Sequence, residues 1–145
     1  MVLSSLDIGV LQRLNAIRVA HHLPPLTLSA RLTLASKQHS TEMGADGYFE
    51  HSSHDGTVFW KRILRWYPET GFHTWSVGEN LLWSSPGVNP GAALDLWMRS
   101  PEHRANILSP RWREIGVSAV HFASAPGTYG GAAVTIITTD FGARD

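Results

Sequence analysis

The sequence predicts an α+β domain in which helices cover a sheet. Capped, amphipathic segments fill the chain as far as Leu108, and the remainder turns β-rich. There, "IGVSAVHFA" and "AAVTIITTDFG" flank the Gly-rich turn "SAPGTYGG", the pattern of an antiparallel hairpin. Helices first and a hairpin last favour helices packed on a sheet. At 145 residues, the chain is read as one domain, 1–145, with no repeat, low-complexity segment or linker.

Leu6, Val10, Leu14 and Ile17 recur at helical spacing behind Ser4 and Ser5, both good N-caps. Pro24 and Pro25 forbid that helix from continuing. A second helix starts near Ser29, turns Leu32, Ala35, His39 and Met43 to one face, and ends at Gly44 or Gly47. "YFEHSSHDG" is a polar loop with turn chemistry at Asp55-Gly56. "TVFWKRILRWY" reads as a third helix with Phe59, Ile63 and Trp66 inward. "WSVGENLLW", interrupted by Gly78, reads as a short strand or extended loop. Asn89-Pro90 and Ser100-Pro101 then open two more helices, each a cap followed by proline at the first helical position.

Composition excludes several function classes. Twelve basic residues balance 12 acidic ones, so no general electrostatic grip on nucleic acid or an anionic membrane is expected. No stretch is long and apolar enough to span a bilayer. With no cysteine, disulfides, thiolate catalysis and Cys-type zinc sites are excluded. Eight histidines against two lysines point toward metal, acid–base chemistry or pH response.

The polar residues that could carry chemistry are His51, His54, Glu79, Glu102 and His103. Glu79 lies in "VGENLLW", an otherwise apolar or small stretch, and a buried carboxylate needs a partner. His51 and His54 are three apart in a loop; solvent exposure is the preferred reading for His54. His39 shares a face with Leu32 and Met43, which suits a satisfied core histidine. His103 falls in the first turn of its helix, where the dipole disfavours imidazolium, so it is either a ligand or a hydrogen-bonded cap residue. Ser100 reads as a cap rather than a nucleophile, and Glu102 as a carboxylate suited to a helix start. Arg104 and Asn106 tie the following loop to the domain. Trp75, Trp83 and Trp97 line a groove or fill the core. Neither H-E-x-x-H nor G-x-S-x-G is present. "TTDFG" carries the letters of a kinase motif but, lacking the other kinase loops, reads as a strand end.

The segments "LNAIRVAHHLPPLTLSARLTLASKQHSTEMGADGYFEH", "VGENLLW", "LDLWMRSPEHRANIL", "EIGV" and "VTIITTDFG", in this order from Leu11 to Gly142, resemble the CAP superfamily (cysteine-rich secretory protein, antigen 5, pathogenesis-related 1), in its cysteine-free bacterial branch. The resemblance implies a three-layer α-β-α sandwich with a central, mainly antiparallel sheet and a cleft over it. In that family two histidines and two glutamates line the cleft, and some members bind a divalent ion there. Carried over, His51, Glu79 and His103 fill three places. The second glutamate normally lies three residues after the helix tryptophan; here Trp97 is followed at that spacing by Ser100, with Glu102 nearby.

The resulting expectation is a secreted, monomeric domain whose leader has been removed, with His51 and His103 holding a divalent ion, zinc by preference. The cleft would take a small-molecule, lipid, peptide or cell-wall ligand, and Glu79 would partner His51 and the "SPEH" turn. Two other functions stand beside it. One is a metal-assisted, peptidase-like hydrolase with Glu79 as general base; the other is a partner-binding scaffold with a vestigial cleft.

Overall fold

A computed structural model describes residues 2–145. Helix α1, Ser5–Ala20, opens on a reciprocal cap in which Ser4 and Asp7 satisfy each other's backbone N–H groups. The two prolines that stop it lead into a two-residue strand, β1, Thr27–Leu28. Ser29 caps α2, Ala30–Asp46, which closes at Gly47. After the polar loop come α3, Phe59–Trp66, and β2, Trp75–Ser84. Helices α4, Pro90–Arg99, and α5, Pro101–Ile107, both carry proline at the first turn. Strands β3, Glu114–Phe122, and β4, Val134–Arg144, form the expected hairpin around a short 3-10 turn, Gly127–Tyr129.

The four strands lie in the order β1-β3-β4-β2, antiparallel except for the β1–β3 pair. The sheet is therefore mixed, because β1 enters beside β3 in the same direction. The "WSVGENLLW" segment is a full ten-residue strand paired along its whole length with β4, not a short strand or loop. Gly78 does not interrupt it. A Cβ there would lie 2.7 Å from Trp112 Cζ2, so glycine admits the indole against the strand.

Period-two alternation sends the strand side chains into two helical layers. Leu82, Ile115, Val117, Ile137 and Phe141 pack with Val10, Leu14, Leu94, Trp97 and Ile107 of α1, α4 and α5. On the opposite face Leu81, Val134 and Ile136 meet Met43 of α2. Leu32 and Ala35 of α2 join Ile63 and Tyr67 beside that cluster. The result is the three-layer sandwich. Trp97 is core, its Nε1 donating to Leu81 O at 2.9 Å. Trp75 is half-buried, and Trp83 packs edge-on against Tyr129. Among the described residues no helix is long and apolar enough to cross a membrane.

Candidate functional site

Among the described residues strand β2 ends the sheet, so its outer edge pairs with no other strand, and the site is built around it. Thr74 and Asp145 exchange both backbone hydrogen bonds just before the strand begins. Hydrogen-bonded and non-hydrogen-bonded pairs alternate in an antiparallel ladder. Glu79 and Asp140, which face each other in register, are therefore a non-hydrogen-bonded pair, with Cα atoms about 4.5 Å apart and side chains close on one face. That face is the one covered by α2.

Two carboxyls side by side in a dry layer cannot both ionise. Glu79 is 1% exposed at its side chain and Asp140 is fully buried. Arg62 of α3, also buried, donates through Nη2 to Glu79 Oε2 at 2.7 Å, and its Nη1 lies 3.8 Å from Asp140 Oδ2. Ser36 donates to Asp140 Oδ2 at 2.9 Å. One guanidinium thus serves two carboxyls. Burial, then the facing Glu79, pushes Asp140 well above the ordinary carboxylate range. Burial raises Glu79 too, opposed by the bond with Asp140 and by Arg62. The arrangement holds one proton between the pair, on Asp140, with Arg62 balancing the Glu79 carboxylate. Among the described residues Asp140 Oδ1 has no hydrogen-bond partner, which leaves it as the oxygen able to carry that proton.

His51 meets the same carboxylate from outside. Its Nδ1 lies 2.9 Å from Glu79 Oε1, and its side chain is 52% exposed. A carboxylate only accepts, so Nδ1 carries the proton and Nε2 keeps a lone pair toward solvent. Burial, then Arg62, lowers the His51 pKa, so the ring is neutral near neutral pH. His39 is buried beneath, Nε2 donating to Glu50 O at 2.8 Å, with Nδ1 unpartnered. Burial, then Arg62, lowers it to about 3.

On the other side of the strand, Asn80 Nδ2 donates to His103 O at 3.0 Å. Asn106 Nδ2 reaches both Asn80 Oδ1 and Glu79 O, at 2.9 and 3.2 Å. These bonds strap α5 to β2 beside Glu79. His103 Nδ1 is 2.7 Å from Ser100 Oγ. Ser100 sits at the cap position of α5, but its hydroxyl makes no cap bond and spends itself on His103. Burial, then His51, lowers the His103 pKa, in place of the helix dipole expected from its position in the first turn. Glu102 is exposed and bonds neither ring, though its charge favours the protonated form of both. His54 is exposed and stacks on Tyr48.

The Glu79 partners thus differ from expectation. His51 is one, but the others are Arg62 and Asp140, and the "SPEH" turn reaches Glu79 only through the Asn106 amide. The cleft over the edge has a volume of about 350 Å³, and its aromatic walls are Phe59 and Trp112 instead of Trp75, Trp83 or Trp97. Arg62 and Asp140 were missed. Arg62 does fall at i+3 from Phe59 on the inward stripe of α3, and Asp140 shares the period-two face of Val134 and Ile136. Those positions were the available signal.

The buried cluster predicts a pH dependence of stability. The unfolded chain protonates His39 below about 6.5 while the fold keeps it neutral to about 3, so acidification through that window destabilises. Asp140 has the opposite sign: its contribution is full below about 3.8 and is lost as pH rises toward its raised folded value. Above about pH 4, as far as the raised folded pKa of Asp140 reaches within the His39 window, the two slopes oppose. Asp140→Asn, which mimics the protonated acid, removes only the second. Urea unfolding of that variant should lose stability on acidification more steeply than the parent, by about 1.4 kcal/mol per pH unit. Identical slopes would show that the proton is not on Asp140.

Residues 11–135 match the sequence profile of CAP, the cysteine-rich secretory protein family. The uncharacterized protein YkwD of Bacillus subtilis (strain 168) is 30% identical over 122 residues, covering 83% of this chain and 45% of YkwD. A crystallised extracellular protein containing a SCP domain, from Bacillus anthracis str. Ames, superposes with a TM-score of 0.68 at 26% identity, over 97% of this chain and 44% of that one. The chain thus spans less than half the length of each of these two relatives. An outer surface protein from Borrelia burgdorferi shares the fold at 16% identity, with a TM-score of 0.74 over 99% of this chain and 97% of that one.

Proposed function

We propose, from the premise that this chain belongs to the cysteine-rich secretory protein (CAP) family, that it is an exported binding domain. Its cleft at the edge of β2 takes an extended ligand and a divalent ion of the zinc type between His51 and His103. The observation that carries binding over hydrolysis is the state of Glu79. Its side chain is 1% exposed and both oxygens are committed, to Arg62 and to His51. A general base must reach the proton it removes; this carboxylate instead positions an imidazole. Export is supported by the similarity to the extracellular SCP-domain protein of Bacillus anthracis.

The residues fit an ion only modestly. Among the described residues no group of three or more histidine, cysteine or acidic side chains is set to hold a metal, and catalytic zinc usually has three protein ligands. Two neutral imidazoles remain. His51 offers Nε2 because Glu79 fixes its tautomer. His103 offers Nε2 only when its Nδ1–H donates to Ser100, and a serine, unlike a carboxylate, permits either tautomer. A bound ion would polarise a water or ligand oxygen.

Calorimetric titration of zinc into the tag-free protein tests the site. Weak binding is expected near pH 7.5, falling in acid as protons compete, at a pH below the ordinary histidine range. His51→Ala and His103→Ala should each lose it, and Ser100→Glu should tighten it about 10-fold or more by imposing the tautomer. Parent-like binding by both alanine variants would place the ion elsewhere.

A further inference from the structure

We infer that the outer edge of β2, from Trp75 to Glu79, is a docking strip for one extended peptide bearing an acidic side chain, which joins the four-stranded sheet as an added strand. The inference rests on reading the cleft as a binding surface and names the chemistry of its ligand.

The alternation that sets Glu79 against Asp140 also turns the N–H and C=O of Trp75, Val77, Glu79 and Leu81 away from β4. Glu79 O is taken by Asn106 Nδ2 and Leu81 O by Trp97 Nε1. Among the described residues, nothing bonds the N–H or C=O of Trp75 and Val77, or the N–H of Glu79, on that side. Trp75, Ser76 and Val77 are half-buried, so this edge is reached by solvent. Native folds usually cover or blunt such an edge. Here open space lies beside it instead: the cleft of about 350 Å³ at Val77 and Gly78, continued over the adjoining sheet face by a cavity of about 640 Å³ that Thr74 and Ser76 line together with Ala143 of β4 and Arg113. Arg111 lines both.

The walls select a single strand. Phe59 and His51 stand on one side, and Trp112, with the Arg111 guanidinium 5.7 Å from its ring centre, on the other. An added strand lies about 4.8 Å from the strand it pairs with, so its backbone would run between these walls, whereas the edge of a second folded copy would have to bring its own flanking layers there as well. Side chains of an added strand alternate between those walls. The face toward Arg111 and Arg113 meets two guanidiniums that have, among the described residues, no carboxylate within ion-pair distance, while one acid, Asp145, lines the larger cavity. That wall suits an acidic residue, and the Phe59 wall an apolar one. Main-chain bonds supply the grip and the alternate side chains the choice, as in other strand-addition sites.

The probe is a fluorescein-labelled, amidated peptide of sequence Ser-Val-Glu-Val-Glu-Val-Ser, read by fluorescence polarisation and by amide hydrogen exchange of the protein. In the free protein the amides of Trp75 and Val77 should exchange quickly and those of Ser76 and Gly78 slowly. The peptide should protect Trp75, Val77 and Glu79. N-methylation of one alternate set of peptide residues should weaken binding by about 10-fold or more, and of the other set hardly at all, since only one set donates to β2. Arg111→Gln should weaken it by a few-fold. Absence of protection at millimolar peptide, or equal effects of the two methylated sets, overturns the proposal. So does protection that grows with protein concentration alone, which would make the occupant a second copy. Zinc titration of the same sample reports separately on His51 and His103: loss of zinc binding with peptide binding intact fails only the metal reading, and the converse fails only this one.

Discussion

Arg62→Met should destabilise the domain by about 3–5 kcal/mol, the range found when one partner of a buried ion pair is removed. Among the described residues the guanidinium is the one cation facing both Glu79 and Asp140, and all three side chains are buried. Methionine fills much of the volume but leaves the Glu79 carboxylate without its counter-charge. Adding Glu79→Gln to Arg62→Met should recover a large share of the loss, since the uncompensated charge goes with it. Urea unfolding at neutral pH reads both values. A loss below about 1 kcal/mol for Arg62→Met, the level of an exposed pair, would mean that the cluster is solvated.

Gly116→Ala should cost a comparable amount for a steric reason. A Cβ at Gly116 would stand 2.1 Å from Leu32 C and 2.3 Å from Leu32 O. Those are backbone atoms of α2, so no rotamer change relieves the contact; the helix itself must lift from β3. Overpacking in cores typically costs about 1–3 kcal/mol and occasionally more, and a backbone obstacle belongs at or above the top of that range. Gly87→Ala is the control, because its Cβ would meet only Thr135 Oγ1 at an ordinary 3.6 Å. Equal stability of the two variants by thermal unfolding would show that α2 does not approach β3 so closely.

The local chemistry of the fold was legible in the sequence. Ser4, Ser29, Asn89 and the proline-marked starts at Pro90 and Pro101 identify where helices begin, since orphan N–H groups demand those residues. The β3–β4 hairpin follows from alternation and a glycine-rich turn. Strand β1 escaped because two residues carry no period. Strand β2 was under-read because glycine suggests a break, whereas Gly78 answers to Trp112, 34 positions away in sequence. The site divides the same way. His51, Glu79 and His103 stand in recognisable segments. Arg62 looks like the solvated face of a helix, and Asp140 like the end of a strand. What makes them partners is the Glu79–Asp140 register, a long-range pairing that no local window contains.

The Ser36–Asp140 hydrogen bond joins residues 104 positions apart, and the cluster around it draws on α2, α3, β2 and β4. Such contacts close only after the intervening loops have been ordered, and their desolvated charges gain nothing from a half-built neighbourhood. The cluster is therefore expected to close late in folding; a φ-value of about 1 for Ser36→Ala would count against it. Interactions absent from the transition state leave the folding rate largely untouched and set the rate of escape from the native state. In a chain without disulfides, a late-closing Arg62 cluster would act as the latch: Arg62→Met should speed unfolding and leave the folding rate largely unchanged.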